Sequence, residues 1–468
     1  MKNWHKQFVF FLFLLICFKP CYGQNKWIGY WIDTIETYTQ DLKIVIHFDG
    51  ENQNEMKLNL YSIDQSKVPI PIKSFQIKED SLVFSSKAYN LQFKGQFVDS
   101  NSSISGVIKQ GQVFPLQFTR IDSLPCVYRP QTPQPPFDYG VEEVLIPNKK
   151  AKVNLAGTLT IPKNCRQCPA VVLVAGSGPQ DRDETIFDHK PFAVIADMFT
   201  KNGIAVLRYD KRGIGKSTGE LYSATTFDFA EDAQATVDFL KKDKRFQTIG
   251  IVGHSEGGII AAMLAAQPKS KLDFAVLLAA PAQKGDSLIV SQVFYAALAS
   301  NLNENYAQAV ANQERFLLDV LMKHKDSTLT KIDEELDKHK QSLPEDDIEL
   351  ALWKNFVPLR DIPPCLSPWF QTFLTINPAD YLQKVKIPVF ALYGSKDCQV
   401  PPETNKDLMF DYLSKSNIHF SLITLNNKNH LFQNAKTGSV KEYNNIAETI
   451  AYDVLSMIKN WILELKKY

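Results

Sequence analysis

In "IGIVGHSEGGIIAAMLAA", Ile249 to Ala266, a single serine is crowded by glycines between an apolar run and an alanine-rich helical pattern. Where a strand passes into a helix with almost no loop, the joining residue is forced into a strained conformation, and small neighbours relieve the crowding. Gly253 and Gly257 supply that room. The pattern therefore predicts Ser255 on a sharp strand-to-helix turn, with its hydroxyl held above the sheet. A helix start also leaves unpaired N–H groups pointing at whatever docks there. Such a serine reads as a nucleophile. The alternative is a helix N-cap serine, and what separates the two is whether the chain also supplies a base and an acid.

Both have candidates. In "HFSLITLNNKNHLFQ" a strand ends near Leu425 and His430 follows in a polar loop; in "FALYGSKDCQVPP" Asp397 follows its own strand by a similar distance. Taken alone, a loop histidine is solvated and a loop aspartate caps a turn. The order Ser255, Asp397, His430, each just past a strand end, is the order α/β-hydrolases use. A serine hydroxyl is a weak nucleophile at neutral pH, so His430 would take its proton and return it to the leaving group, while Asp397 holds the imidazole tautomer. The tetrahedral oxyanion needs two prepositioned donors. Glu256 offers its backbone N–H directly after the nucleophile, and Ser177, between two glycines in "GSGPQDRDE", offers the second. The Glu256 side chain is read as structural. Gly215-Lys216-Ser217 in "YDKRGIGKSTG" mimics the end of a phosphate-binding loop, but Asp210 stands where that motif wants glycine, so a strand-turn segment with Arg212 is the better reading.

These groups need a scaffold that brings strand ends together. Apolar runs at "AVVLVAG", "GIAVLRYD", "TIGIVGH", "DFAVLLAAP", "IPVFALYGS" and "HFSLITL" alternate with helical patterns such as "KPFAVIADMFTKNG" and "TFDFAEDAQATVDFLKK". That alternation implies a mostly parallel sheet covered on both faces, with ligands at the carboxyl ends of its strands. From Trp27 to about Arg120 the period is two instead, in "LKIVIHFDG", "YNLQFKGQF" and "VFPLQF", which implies a small antiparallel barrel-like unit. Its only histidine, His47, alternates outward and is assigned no chemistry. The proline-rich "PCVYRPQTPQPPFDYG" favours an extended connector. The organisation expected is a signal peptide over 1–23, a β unit over 24–122, a linker over 123–140 and a catalytic unit over 141–468.

The first 23 residues, with Lys2 and Lys6 before an apolar run from Phe8 to Phe18, have the layout of a secretory signal. The run is too short to span a membrane, which takes about 20 residues. An exported protein with no stable membrane insertion is expected. Removing Cys17 and Cys21 with the signal leaves five cysteines of seven, an odd number that excludes a complete disulfide framework. Cys165 and Cys168 have no partner pair to complete a metal site, so they read as a surface loop, bridged or not. Over the 468 residues Lys and Arg total 52 against 51 for Asp and Glu, with no basic stripe, which argues against nucleic acid as a partner.

"VLVAGSGPQDRDE", "GIAVLRYDKRGIGKSTG", "IVGHSEGG", "PWFQTFLTINPADYLQKVKIPVFALYGSKDCQVPP" and "NHLFQ" together resemble the EstD-type bacterial carboxylesterases of the α/β-hydrolase superfamily, and are similar to its serine aminopeptidase S33-like branch. The period-two segment, "KWIGYW" through "PLQFTR", resembles the lipocalin-like β domain that often precedes such hydrolases. The resemblance implies an α/β-hydrolase fold and a small-molecule carboxylic ester substrate, handled through an acyl-enzyme without cofactor or metal. One departure stands out: many relatives have His-Gly at the oxyanion loop, where this chain has Ala175-Gly176, so that loop's support is in question. The Lys- and Glu-rich insertion at about 284–368, with Tyr306, Val310, Leu317 and Leu321 at near-helical spacing, reads as a helical lid. Trp369 and Phe370 are candidates for its pocket lining or for core. Three rivals stay open: an aminopeptidase of the same fold, which needs an acidic group for the substrate ammonium, a non-catalytic binding protein, and a thioesterase, which sequence does not separate from an esterase.

Overall fold

The computed structural model of the protein describes residues 26–36, 41–50, 55–70, 72, 74–86, 91–98, 102–110, 112–324, 329–354, 367–416 and 419–465. The expected signal segment lies outside the described residues. Two sheets are present. The first holds β1 (Gly29–Ile35), β2 (Leu42–Asp49), β3 (Lys57–Ser62), β4 (Ser66–Ile70), β5 (Ser74–Lys78), β6 (Ser81–Ser86), β7 (Leu91–Val98), β8 (Ser103–Gln110) and β9 (Gln112–Ile121). Their order is β4-β3-β2-β1-β9-β8-β7-β6-β5, and every described pairing is antiparallel. The alternation that predicted these strands is visible in β7, where Leu91, Phe93, Gly95 and Phe97 turn inward and their neighbours outward. The interior is filled with Trp31, Phe48, Phe84, Phe93 and Phe118. At about 1.5–3 kcal/mol for each fully buried side chain of this kind, the aromatic filling holds the unit together. His47 is half-buried and stacks on Tyr30 with ring centroids 3.8 Å apart.

The second sheet runs β10 (Gly140–Asn148), β11 (Val153–Ile161), β13 (Ala205–Tyr209), β12 (Cys168–Val174), β14 (Phe246–His254), β15 (Phe274–Leu278), β16 (Val389–Gly394) and β17 (Phe420–Leu425) in spatial order. From β13 to β17 all pairings are parallel, while β10 and β11 form an antiparallel hairpin joined antiparallel to β13. That hairpin is missing from the strands expected on sequence. As an edge strand, β10 leaves Val141 and Leu145 exposed on either side of Glu142 and Glu143, and it follows a run of prolines. The central strands β12, β14, β15 and β16 are buried along nearly their whole length, because helices cover both faces. On one face pack α2 (Thr226–Lys241), α3 (Glu256–Ala265), α9 (Ala379–Leu382) and α10 (Pro402–Ser414); on the other, α1 (Pro191–Lys201) and α11 (Tyr452–Glu464).

Between β15 and β16 the chain leaves the sheet for α4 (Gly285–Ala299), α5 (Glu304–Lys323), α6 (Leu329–Ser342) and α7 (Ile348–Lys354), returning through α8 (Pro368–Thr375). These helices share a cluster of Leu317, Leu318, Leu321, Leu336, Trp353 and Leu374. Of the expected stripe on α5, Leu317 and Leu321 are buried, while in its first half Ala307 and Ala311 are buried and Tyr306 and Val310 half-buried.

The segment between the sheets is docked on the second unit. Arg129 is buried and donates to the carbonyls of Phe187 (2.6 and 3.0 Å), Ile446 (2.9 Å) and Asn444 (3.1 Å). Gln131 accepts from Ile450 N–H at 3.1 Å and donates to the Ile450 carbonyl at 2.8 Å. With the Thr449 N–H, which also donates to Gln131, six main-chain groups of the second unit are thereby satisfied by two linker side chains. No helix among the described residues is long and apolar enough to cross a membrane.

Candidate active site

Ser255 joins β14 directly to α3 with φ 56° and ψ −122°, a left-handed conformation that costs a non-glycine residue about 1–3 kcal/mol. Its neighbours enforce the turn. A Cβ added at Gly253 would come within 2.0 Å of the Gly257 carbonyl oxygen, and one at Gly257 within 2.0 Å of the Val174 oxygen. Only glycine permits these approaches. Ser255 N–H is anchored to the Leu278 carbonyl at 2.9 Å, while its side chain makes no capping hydrogen bond to the helix. The N-cap alternative therefore fails on geometry, and the half-buried hydroxyl is left for other work.

The base and acid candidates meet at the same edge of the sheet. Asp397 follows β16 and His430 follows β17, and His430 Nδ1 lies 2.8 Å from Asp397 Oδ2. The other carboxylate oxygen accepts from the backbone N–H groups of Gln399 (2.8 Å) and Val400 (2.9 Å). Both residues are buried. A carboxylate only accepts, so Nδ1 carries the proton in this pair and Nε2 is left as the basic nitrogen.

Behind these groups lies a histidine that the sequence reading passed over. His254, next to Ser255, has Nδ1 3.0 Å from Glu184 Oε1 and Nε2 3.0 Å from the His430 carbonyl oxygen, with its ring 4.7 Å from that of His430. Both partners are acceptors, so both nitrogens must donate, which makes His254 an imidazolium. Burial works against that charge, but the Glu184 carboxylate, by proximity and hydrogen bond, outweighs it and holds the His254 pKa above its ordinary value. Glu184 Oε1 also accepts from Gly176 N–H at 2.6 Å.

That contact supports the loop whose departure from His-Gly left its stability in question. A Cβ at Gly176 would lie 3.1 Å from Ser255 Cβ, so the loop presses against the Ser255 turn. Gly176 is pinned at its N–H by Glu184 and at its carbonyl by Lys211 Nζ, 2.6 Å away. Ser177 follows, ahead of Gly178 at φ 87°. Glu256 opens α3, where an amide has no acceptor one turn back. Its side chain is fully buried and accepts from Trp369 Nε1 (2.6 Å) and Thr226 Oγ1 (2.7 Å), with Lys211 Nζ 3.4 Å from its other oxygen.

Of the two aromatics that were candidates for pocket lining or core, Phe370 is buried in the cluster of the helical insertion with Leu317 and Trp353. Trp369 is half-buried, bonded to Glu256 and stacked on Phe373 at 5.3 Å. An open surface groove of about 710 Å³ lined by Asn148, Phe227, Gln267 and Tyr381 includes none of Ser255, Asp397 and His430. The Gly215-Lys216-Ser217 turn wraps the Asp210 carboxylate, which accepts from Lys216 N–H at 3.2 Å. Where a phosphate would sit there is already an anion. Arg212 is held by Asp232 at 2.7 and 2.9 Å. Cys165 and Cys168 form a disulfide. Among the described residues, no group of three or more His, Cys, Asp or Glu side chains is arranged to hold a metal ion.

Glu184, Lys211 and His254 are the site residues that sequence reasoning missed. Each lies inside a motif already singled out, "GSGPQDRDE", "YDKRG" and "GHSEG". For His254 and Lys211 the signal available was a titratable residue at or just past a buried strand end; Glu184, ten residues beyond β12, carried none.

A mostly parallel sheet with a strained serine turn after one strand, and an acid and histidine after two later ones, defines an α/β-hydrolase. The serine aminopeptidase S33 family matches residues 189–434, more than half of the chain. The protein belongs to that family. Among characterised relatives, the esterase EstD of Thermotoga maritima is 30% identical over 281 residues, 59% of this chain and 58% of EstD, so the match spans little more than half of that relative. Solved structures to which the chain shows similarity include an esterase of Pyrococcus furiosus (17% identity, TM-score 0.43, 73% of this chain and 96% of that one). Another is the proline iminopeptidase of Mycobacterium smegmatis (16% identity, TM-score 0.43, 69% and 98%).

Proposed function

We propose that the protein is an exported serine hydrolase that cleaves carboxylic esters through an acyl-enzyme. Ser255 is the nucleophile, His430 the general base and then the general acid, and Asp397 the group that orients and stabilises the imidazolium. The backbone amides of Ser177 and Glu256 receive the oxyanion. The observation that carries this reading is the buried Asp397–His430 pair, 2.8 Å apart, at the strand edge where Ser255 is held at φ 56° without a capping role. The match to EstD, named an esterase, supports ester over amide as the substrate bond. Export is supported by the lysine-flanked apolar N-terminus and by the Cys165–Cys168 disulfide, a bond that persists in oxidising compartments.

The experiment is hydrolysis of p-nitrophenyl esters from acetate to decanoate, beside aminoacyl p-nitroanilides, by the mature protein and its Ser255→Ala variant. Ester turnover that vanishes in the variant is the expected result. Anilide turnover without ester turnover would replace esterase by aminopeptidase. Neither activity, together with no labelling by a fluorophosphonate, would favour the non-catalytic binding protein.

A further inference from the structure

We propose that Lys211 is the positioning residue of the oxyanion hole, acting from behind the Gly176–Ser177 peptide; the inference rests on the hydrolase reading above. Lys211 follows β13 and is buried, its ammonium 4.4 Å from the centre of the Phe229 ring. It donates to the Gly176 carbonyl at 2.6 Å, the short distance typical of a charge-assisted bond. The Gly176 carbonyl and the Ser177 N–H belong to one planar trans peptide, so they point in opposite directions. A cation fixed on the carbonyl therefore fixes where the amide points. It also withdraws electron density from that amide, strengthening it as a donor.

The anchor of Lys211 is the other half of the same device. Glu256 Oε2 lies 3.4 Å from the ammonium, and it is the backbone amide of Glu256 that supplies the second donor. One ion pair thus ties together the two residues whose amides must converge on a single oxygen. The pair is held in place from outside: Trp369 Nε1 and Thr226 Oγ1 both donate to Glu256 Oε1, at 2.6 and 2.7 Å. Stability alone is a poor reason for such an arrangement, since a buried ion pair replaced by apolar side chains of similar volume is often neutral or stabilising. A methionine could fill the Lys211 site beside Phe229. It could not orient a peptide.

The test compares wild type with Lys211→Met and Glu256→Gln, the second variant weakening the anchor while keeping an acceptor for Trp369 and Thr226. kcat and KM are measured with p-nitrophenyl butyrate. Inhibition is measured with an alkyl trifluoromethyl ketone, which adds to the serine and places a tetrahedral oxyanion in the hole. Removing an oxyanion donor outright costs about 100- to 1,000-fold in kcat, so misaiming one is expected to cost about 10- to 100-fold in Lys211→Met, and less in Glu256→Gln. KM stays within about twofold, and the ketone weakens in proportion to kcat/KM across the series. Should Lys211→Met fail to fold, the Glu256→Gln ratio of kcat/KM to ketone affinity decides alone. Unchanged kcat and ketone affinity in folded variants overturns the proposal. So does a rise in KM with kcat unchanged, which is the mark of lost ground-state binding and not of a misaimed oxyanion donor. A wild type that neither hydrolyses the ester nor binds the ketone overturns the hydrolase reading and this inference with it.

Discussion

Replacing Glu184 with Gln tests the claim that a buried imidazolium underlies the site. Glu184 and His254 are both buried, and His254 donates from both nitrogens to acceptors, at 3.0 Å each. An amide keeps the size and one acceptor oxygen but removes the charge. Leaving a buried cation unpaired costs about 3–5 kcal/mol. The variant escapes part of that by releasing the proton, after which one of the two donations is lost at about 1–3 kcal/mol. A net loss of about 2–4 kcal/mol at pH 7 follows, or about 4–8 °C in Tm at roughly 2 °C per kcal/mol for a unit of this size. The pH dependence has a definite sign. The folded pKa of His254 is raised, so its contribution is fully present below about 6.5, its ordinary value, and is lost as pH rises through the folded value. The Tm gap between wild type and variant should be widest near pH 6 and narrow as pH rises above it, as measured by differential scanning calorimetry. A gap that is constant, or that widens with pH, would refute the imidazolium.

Three further outcomes follow from the same reasoning. Glu314, on α5, has its carboxyl raised to about 7 by burial, so below its ordinary 4.5 it costs nothing and above 7 the folded state carries the penalty. At about 1.4 kcal/mol per pH unit, discounted because the residue is partly accessible, Glu314→Gln should stabilise by about 1–2 kcal/mol at pH 8 and leave pH 4.5 unchanged in urea titrations. His189 is fully buried and burial lowers its pKa to about 4. Its contribution is therefore present above 6.5 and lost as pH falls towards 4, so acid melts of the wild type should lose stability in that window and His189→Gln should flatten the limb. Gly257→Ala must move the Val174 carbonyl or the turn, since its Cβ would lie 2.0 Å from that oxygen. With the proposed role of Ser255, kcat for p-nitrophenyl butyrate should fall at least about 100-fold, a loss read against far-UV circular dichroism to separate misplacement from unfolding.

What the sequence makes legible here is what local chemistry dictates. Glycines around Ser255 are demanded by the turn itself, and the strand ends before Asp397 and His430 are marked by apolar runs that stop. Both signals lie within a few residues of the group they place, which is why these three residues could be named from spacing. Lys211 and Gly176 are 35 residues apart, His254 and Glu184 are 70, and Trp369 and Glu256 are 113. No periodicity says which buried charge will meet which acceptor across such distances. The β10–β11 hairpin was illegible for a different reason: an edge strand is solvated on more of its surface, so β10 loses the alternation that a half-buried strand keeps.

The missed residues also explain how the chain can do without the His-Gly seen at the oxyanion loop of many relatives. A loop that must present an amide beside a strained serine needs its main-chain groups satisfied from behind, or it will relax towards water. Here Glu184 takes the Gly176 N–H and Lys211 takes its carbonyl, so the two peptides that meet at this glycine are each gripped by a buried side chain, the two of opposite charge. Each is charge-balanced by a second partner, His254 for Glu184 and Glu256 for Lys211, and these two residues flank Ser255 directly. The support therefore runs from the loop back to the Ser255 turn by two independent ion pairs. Ser255 and the loop cannot shift apart without breaking one of them.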